Sequence, residues 1–566
     1  MYIRVTKAAN GNTQKVYLVE GYRDEDKKIK QRIVRCYGEL SKLQSAEPGV
    51  LARLRAEAKA MKQDSLIQLE LDGFAKNSAC GPVKNYGYIF LDRIFSRLGL
   101  RDFFEQVASE RKFVYDLKDI IRLLTYSRIL APGSKKEAFE QRGMFFEDFD
   151  GLELEDIYRS LSVMDKIKDE LQFHLHKAVS SEYGRDCTLV FYDVTNYYFE
   201  TEREDEMRKK GVSKEYRPNP LVQMGLFLDG NGIPIAYKLF PGNTNDKATL
   251  LPAIKDVRTR YGLGKIVVVG DKGTNTGANT AYLVQNGDGY ILSQQIRKRK
   301  AELIERVLDE AGYVPNAAGT FKKKSWIGEK TVADEHGNSV LLKEKVVCFW
   351  SKDYADREKH KRGNIEGIIE KFRDNPTLYT ASNSFGVKKY LKEQHLDKET
   401  GVVQKKNPVL FFDQEKYARD CALDGYYMLV TSELDMTDEE IIEQYRGLYK
   451  VEDSFRVLKS DLEGRPVYVR TESHIEGHFL VCFLALVLMR LLQKETGDVF
   501  TAEQLQRGLL SASCHHIDKN IYLLQKQNPA FQKLYQAHGI DLDKKYLKIE
   551  QIRNLKKALT QKNTTS

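Results

Sequence analysis

Between about residues 186 and 297 the apolar positions fall in short, nearly continuous blocks. TLVFYDVTNYYFE, LVQMGLFLDG and IPIAYKLFPG each have the length and the aromatic and β-branched make-up of a buried strand. Asp229-Gly230-Asn231-Gly232, between the last two, signals a hairpin. A helical stretch from Asp246 to about Arg260 comes next, then the short buried strand KIVVVGDKG, a helix near 276–286 and the strand GYILSQ. Three meandering strands followed by alternating helix and strand predict an α/β fold built on a mixed sheet.

The pattern changes on either side. Residues 1–40 alternate β-type runs (MYIRVTK, QKVYLVEGY, QRIVRCYGEL) around the turn signal Asn10-Gly11-Asn12. Residues 48–180 have helical periodicity, with a stop at Ala131-Pro132-Gly133. After about 297 the chain is irregular, basic and partly β-type (KSWIGEKTV, SVLLKEKVVCFW, PVLFFD). The core pattern returns with the strand GYYMLVTS, and Thr437 and Glu440 form a capping box that starts a helix. The longest apolar run, Phe479 to Met489, stops at Arg490; it is too short to span a bilayer and predicts a buried helix. The last 65 residues look helical and polar and end in KNTTS. No internal repeat is present.

The helix begun at Thr437 carries a second pattern. Tyr445, Glu452 and Lys459 recur every seven residues, which stacks them on one helical face, with Tyr449 and Arg456 beside them. Leu448, Val451, Phe455, Leu458 and Leu462 form a separate apolar stripe. One side is expected to be buried. The other sets a carboxylate between an aromatic hydroxyl and cations, a composition suited to a metal ion and an anion such as DNA phosphate.

At 566 residues the chain is expected to form three or more domains or inserted modules. Its 42% apolar and 30% charged content suits a globular protein. The net charge of +9 is clustered in Arg297-Lys298-Arg299-Lys300, Lys322-Lys323-Lys324 and Lys359-His360-Lys361-Arg362; such runs fit phosphate contacts or a solvated surface. Seven scattered cysteines without a CxxC pair indicate a reduced protein with neither a disulfide frame nor a zinc site. The first residues, MYIRVTKAANG, hold no apolar signal core, so a cytoplasmic location and no membrane partner are expected.

Asp193 lies within the first core strand, Asp271 follows the fourth and Glu452 lies on the late helix. A carboxylate in an apolar strand is costly unless it is paired or binds a cation. Each aspartate alone reads as well as a turn cap. Together with the helix face, the three acids are suited to holding two Mg2+ (or Mn2+) ions roughly 3.5–4 Å apart, one activating an attacking oxygen and the other stabilising the leaving oxygen of a phosphodiester.

YDVT with Asp193, VVVGDKG with Asp271 and the segment from DGYYMLVTS through Tyr445, Glu452 and Lys459 resemble the DDE transposases of bacterial insertion sequences. The likeness is to the cut-and-paste group whose third acid lies in a Tyr-x2-Arg-x3-Glu-x6-Lys signature. It covers about 185–500, and SRILAPGSKKEAF before it is similar as well. The resemblance implies an RNase H-like mixed sheet flanked by helices and interrupted by a β-rich insertion, with mainly helical N- and C-terminal regions. The expected domains are a DNA-binding region at 1–185, a first catalytic part at 186–297, the insertion at 298–420, a second catalytic part at 421–500 and a helical region at 501–566. It also implies that Asp193, Asp271 and Glu452 are catalytic metal ligands and that Tyr445 and Lys459 hold DNA phosphate. DNA partners would be the terminal inverted repeats and a target, and synapsis of two ends implies a homodimer. The family arginine is replaced by Leu448; Arg446, Lys450 and Arg456 are candidates to supply its charge, Arg456 first among them because it projects beside Glu452. The rival readings are an RNase H-type nuclease that hydrolyses without joining and a catalytically inactive DNA-binding relative.

Weaker signals remain. Trp326 and Trp350, in the expected insertion, are candidates to stack an extruded base, although core packing is the commoner use of tryptophan. His474, His478 and Cys482 have helical spacing that suits zinc or, more commonly, core packing. Thr195 and Asn196 are candidate neighbours of the metal site.

Overall fold

The computed structural model describes residues 2–7, 13–23, 29–60, 83–111, 113, 115–149, 151–213, 217–363, 365–374, 387–396, 403–518 and 520–560. The turn signal at 10–12 and the KNTTS tail lie outside them. The chain forms two compact units, Met1–Ala79 and Cys80–Ser566. In the first, an antiparallel meander of Tyr2–Lys7, Gln14–Arg23 and Ile29–Glu39 buries Val16 against Val50 and Leu54 of the helix Val50–Ala60.

The second unit is built on a nine-stranded mixed sheet. Its strands are β1 (Leu189–Tyr198), β2 (Leu221–Asp229), β3 (Pro234–Pro241), β4 (Val267–Gly270), β5 (Gly289–Ser293), β6 (Val314–Pro315), β7 (Phe321–Ala333), β8 (Ser339–Ser351) and β9 (Tyr426–Thr431). They lie in the order β6-β7-β8-β9-β5-β4-β1-β2-β3. β1, β2 and β3 form an antiparallel meander. β4 joins β1 in parallel and β5 joins β4 in parallel. This 5-4-1-2-3 arrangement is the mixed sheet that the blocks of 186–297 predict, in the RNase H-like order that the resemblance implies. β9 then pairs antiparallel with β5, and β8 with β9, so the strands after 297 extend the same sheet.

Period-two alternation sorts each strand between two layers. Val190, Tyr192, Val194 and Val268 pack with Leu250, Ile254 and Val257 of the helix Leu250–Tyr261. Phe191, Tyr197, Val269 and Ile291 face the opposite layer, whose centre is the helix Glu472–Glu495. That helix is long and apolar enough to cross a membrane, but 94% of its apolar window is buried inside the protein. It packs on the helices Tyr88–Arg97, Leu117–Leu130 and Leu154–Lys166 and on β3. Gly477 allows the approach to Leu154–Lys166, since a Cβ there would lie 2.3 Å from the Leu161 carbonyl oxygen. Each fully buried Leu or Phe on such a helix contributes about 1.5–3 kcal/mol.

The two ends of this unit are knitted together. The strand Ser513–Asp518 pairs with Lys84–Asn85. Buried Asp92 accepts from Arg101, Arg122 and Tyr126, and Lys556 of the last helix pairs with Glu147 and Asp92. Burial works to raise the Asp92 carboxyl, but Arg122, Arg101 and Lys556 outweigh it and hold it below its usual range.

Candidate active site

The parallel register of β1 and β4 pairs Tyr192 with Gly270, which sets the next residues, Asp193 and Asp271, side by side. Asp193 shares a strand face with Phe191 and Tyr197, and Asp271 continues the face of Val269, so both carboxylates belong to the layer of the long helix. Both are half-buried. Asp271 lies where β4 ends: its carbonyl accepts from the amide and hydroxyl of Thr274, closing the turn that frees its side chain.

Two residues not singled out from the sequence surround Asp271. Ser293, at the end of β5, donates its hydroxyl to Asp271 Oδ1 at 2.7 Å. Tyr427, on β9, shares a 2.9 Å hydroxyl contact with Tyr445, whose own hydroxyl lies 3.4 Å from Asp271 Oδ1. Burial, reinforced by Tyr427, pushes the Tyr445 phenol far above its usual range, so it stays protonated and can donate. A polar residue closing an otherwise apolar strand was the available signal for Ser293.

The segment carrying the late signature is not one straight helix. The capping box holds as expected, with Thr437 and Glu440 bonded reciprocally, but the helix Asp438–Arg446 ends there. A second helix, Tyr449–Arg456, begins after Gly447-Leu448 and runs into a π-turn, Val457–Asp461. The junction lies against the sheet. A Cβ on Gly447 would lie 2.5 Å from the Phe191 ring, and the bonds at the junction tighten to three-residue spans, from Leu448 to Tyr445 and from Lys450 to Gly447. Leu448, Val451, Phe455, Leu458 and Leu462 are buried, as their periodicity predicts.

The break sends the signature side chains to different places. Tyr445 turns in to Asp271. Glu452 is exposed on Tyr449–Arg456, the helix that packs over β1 and β2. The Lys459 ammonium lies 5.5 Å over the Tyr197 ring, on the strand face of Asp193. Arg456 is bracketed by Asp453 and Asp461. Lys450 donates to the Gly230 carbonyl at 2.6 Å, anchoring its helix to the β2–β3 hairpin. Arg446 is exposed, 4.0 Å from Glu443.

Two hard carboxylates on adjacent strands are a suitable platform for a divalent cation. Among the described residues no group of three or more His, Cys, Asp or Glu side chains is drawn together around an ion position, so Glu452 is not gathered with the aspartate pair in this conformation. His474 lies by Tyr158, while His478 contacts Lys135, so the two do not converge. Trp326 stacks under Arg306, and Trp350 donates its indole N–H to Asp424 while lining a cavity of about 730 Å3 with Lys322, Lys359, Arg362 and Tyr426. Asn196 donates to the Val212 carbonyl, and Thr195 is buried.

A family model described as the transposase DDE domain matches residues 188–488, and one described as the N-terminal domain of IS1634 family transposases matches residues 3–69. No curated protein matches the chain. Among solved structures, a cryo-EM structure of a piggyBac transposase synaptic complex with hairpin DNA is similar at 7% identity and a TM-score of 0.33, over 85% of this chain and 86% of that one.

Proposed function

This chain belongs to the family of transposases that carry a DDE domain, and from that premise we propose that it binds the terminal inverted repeats of its own insertion sequence, cuts the DNA there and joins the freed 3′ ends to a target. The observation that carries the reading is the placement of Asp193 beside Asp271 by the β1–β4 register. Asp193, Asp271 and Glu452 would hold Mg2+ or Mn2+, which would supply activation of the attacking oxygen and neutralisation of charge at the phosphodiester. Glu452 lies on the helix packed over β1 and β2, and it would supply the third carboxylate to such an ion.

The protein's own groups prepare that site. Tyr445 and Ser293 donate to one oxygen of Asp271, which orients the carboxylate and leaves its other oxygen to face the reaction. Lys459 grips a phosphate beside the cut. Water and then a 3′-hydroxyl act as successive nucleophiles, so no covalent protein–DNA intermediate forms. Two ends are brought together by two copies of the chain.

A strand-transfer assay tests this. With a pre-cut 3′-hydroxyl end and a target duplex, the wild-type chain gives a joined product and the Asp193→Asn and Asp271→Asn variants give none. Cleavage without any joined product would make the protein a nuclease and overturn the reading.

A further inference from the structure

The two motifs left over from the sequence, SRILAPGSKKEAF and the His474/His478/Cys482 series, meet in the fold. Arg128 and Lys135 come from the first and His478 from the long helix. Lys135 is buried at the start of the helix Lys135–Glu140, and its ammonium lies 2.9 Å from His478 Nδ1. The other ring nitrogen, Nε2, lies 3.2 Å from the Gly464 carbonyl oxygen and 3.7 Å from Cys482 Sγ. Burial, Lys135 and Arg128 push His478 well below its usual range, so the ring is neutral, accepts from Lys135 at Nδ1 and donates to Gly464 from Nε2.

Arg128 clamps the same turn from its other side. Its guanidinium donates to the carbonyls of Leu462 and Glu463 and to that of Gly133. Gln506 bridges the carbonyls of Ile129 and Asp461, at 2.8 Å each. The turn needs such support, because Glu463 adopts a left-handed φ of 42°. It also closes back on the segment before it: the Leu462 amide bonds to Val457 and the Gly464 amide to Leu458, both at 2.8 Å. Those two acceptors precede Lys459 directly.

We propose that Arg128, Lys135 and His478 are positioning residues for DNA cleavage, locking the Leu462–Gly464 turn onto the segment that carries Lys459 and so fixing its ammonium against the strand being cut. The proposal rests on the reading above that Lys459 grips a phosphate at the cleavage site. It gives the otherwise unused SRILAPGSK segment a task in the reaction itself.

The test is a double-mutant cycle on end cleavage by the full chain at saturating duplex carrying the terminal inverted repeat. Lys459→Ala is read first, and wild-type cleavage by it would overturn the grip reading and this inference with it. Given a loss there, His478→Leu is expected to lower the cleavage rate at saturating duplex about 10- to 100-fold, with no more loss of end binding than Lys459→Ala itself shows. His478→Gln, which keeps an acceptor and a donor on one planar group, restores most of the rate. In Lys459→Ala, His478→Leu costs little more, because the residue it positions is already gone. Multiplicative losses in the double variant, or no rescue by Gln, would overturn the positioning role while leaving the grip reading intact. Thermal unfolding accompanies each variant; if His478→Leu does not fold, Lys135→Met carries the cycle.

Discussion

The Tyr445 hydroxyl lies 3.4 Å from Asp271 Oδ1 across 174 residues of sequence, at the end of a helix that stops at Arg446. Tyr445→Phe removes that donor and the partner of Tyr427. It is expected to lower stability by about 1 kcal/mol and end cleavage by about 10- to 100-fold, with end binding unchanged. Chemical denaturation and single-turnover cleavage measure the two effects. Wild-type cleavage by the variant would remove Tyr445 from the site.

Glu452 is exposed, so Glu452→Gln leaves the fold intact, with a stability change within about 0.5 kcal/mol by thermal unfolding. If it is the third acid, cleavage in Mg2+ falls by at least about 100-fold. Unaltered cleavage would assign the third position to another residue.

Lys450 and Lys459 are separable by salt. Lys459→Ala is expected to flatten the dependence of end binding on log salt by about 0.9. Lys450→Met gives up the bond to Gly230 and loosens the hairpin anchor, so it lowers stability by about 1 kcal/mol and leaves the salt slope alone. Titrations at several salt concentrations distinguish them, and the reverse pattern would exchange their roles.

Lys135 predicts a pH effect on stability. Burial, with a smaller push from Arg128, lowers its ammonium to about 7 from 10.5. Between those values the unfolded chain holds a proton that the folded chain has released, so this group makes stability rise with pH, by up to about 1.4 kcal/mol per unit. His478 and Cys482 face it as well, the first already neutral over that window. Lys135→Met removes this contribution, and subtracting its denaturation profile from the wild-type profile between pH 7 and 10 isolates it. Parallel profiles would refute it.

Much of the core was legible because its signals are local. Apolar blocks gave β1 to β5, the Asp-Gly-Asn-Gly turn gave the β2–β3 hairpin, and Thr437 with Glu440 gave the start of a helix. Two aspartates in apolar strands stood out because burial penalises them. What stayed hidden depends on distant partners. The break comes at Gly447, which packs against Phe191, some 250 residues away in the chain. Ser293 and Tyr427 become site residues only through the strand order β9-β5-β4-β1. Arg456, which helix geometry puts beside Glu452, and Lys450, a further candidate to replace the family arginine, are engaged by Asp453, Asp461 and Gly230, acceptors that a single-helix projection does not reveal.

The burial of Glu472–Glu495 also sets an order of synthesis. The helices between Tyr88 and Lys166 that enclose it leave the ribosome some 300 residues before it does. Until then their inner faces, and the facing side of β3, have no partner, and such surfaces are the ones that aggregate or recruit chaperones. A chain that terminates before residue 472 would already hold both strand aspartates and would still lack the rod around which its helices close. Closure of the second unit thus waits for the polypeptide to run past this helix, and a product truncated before it leaves those apolar faces uncovered.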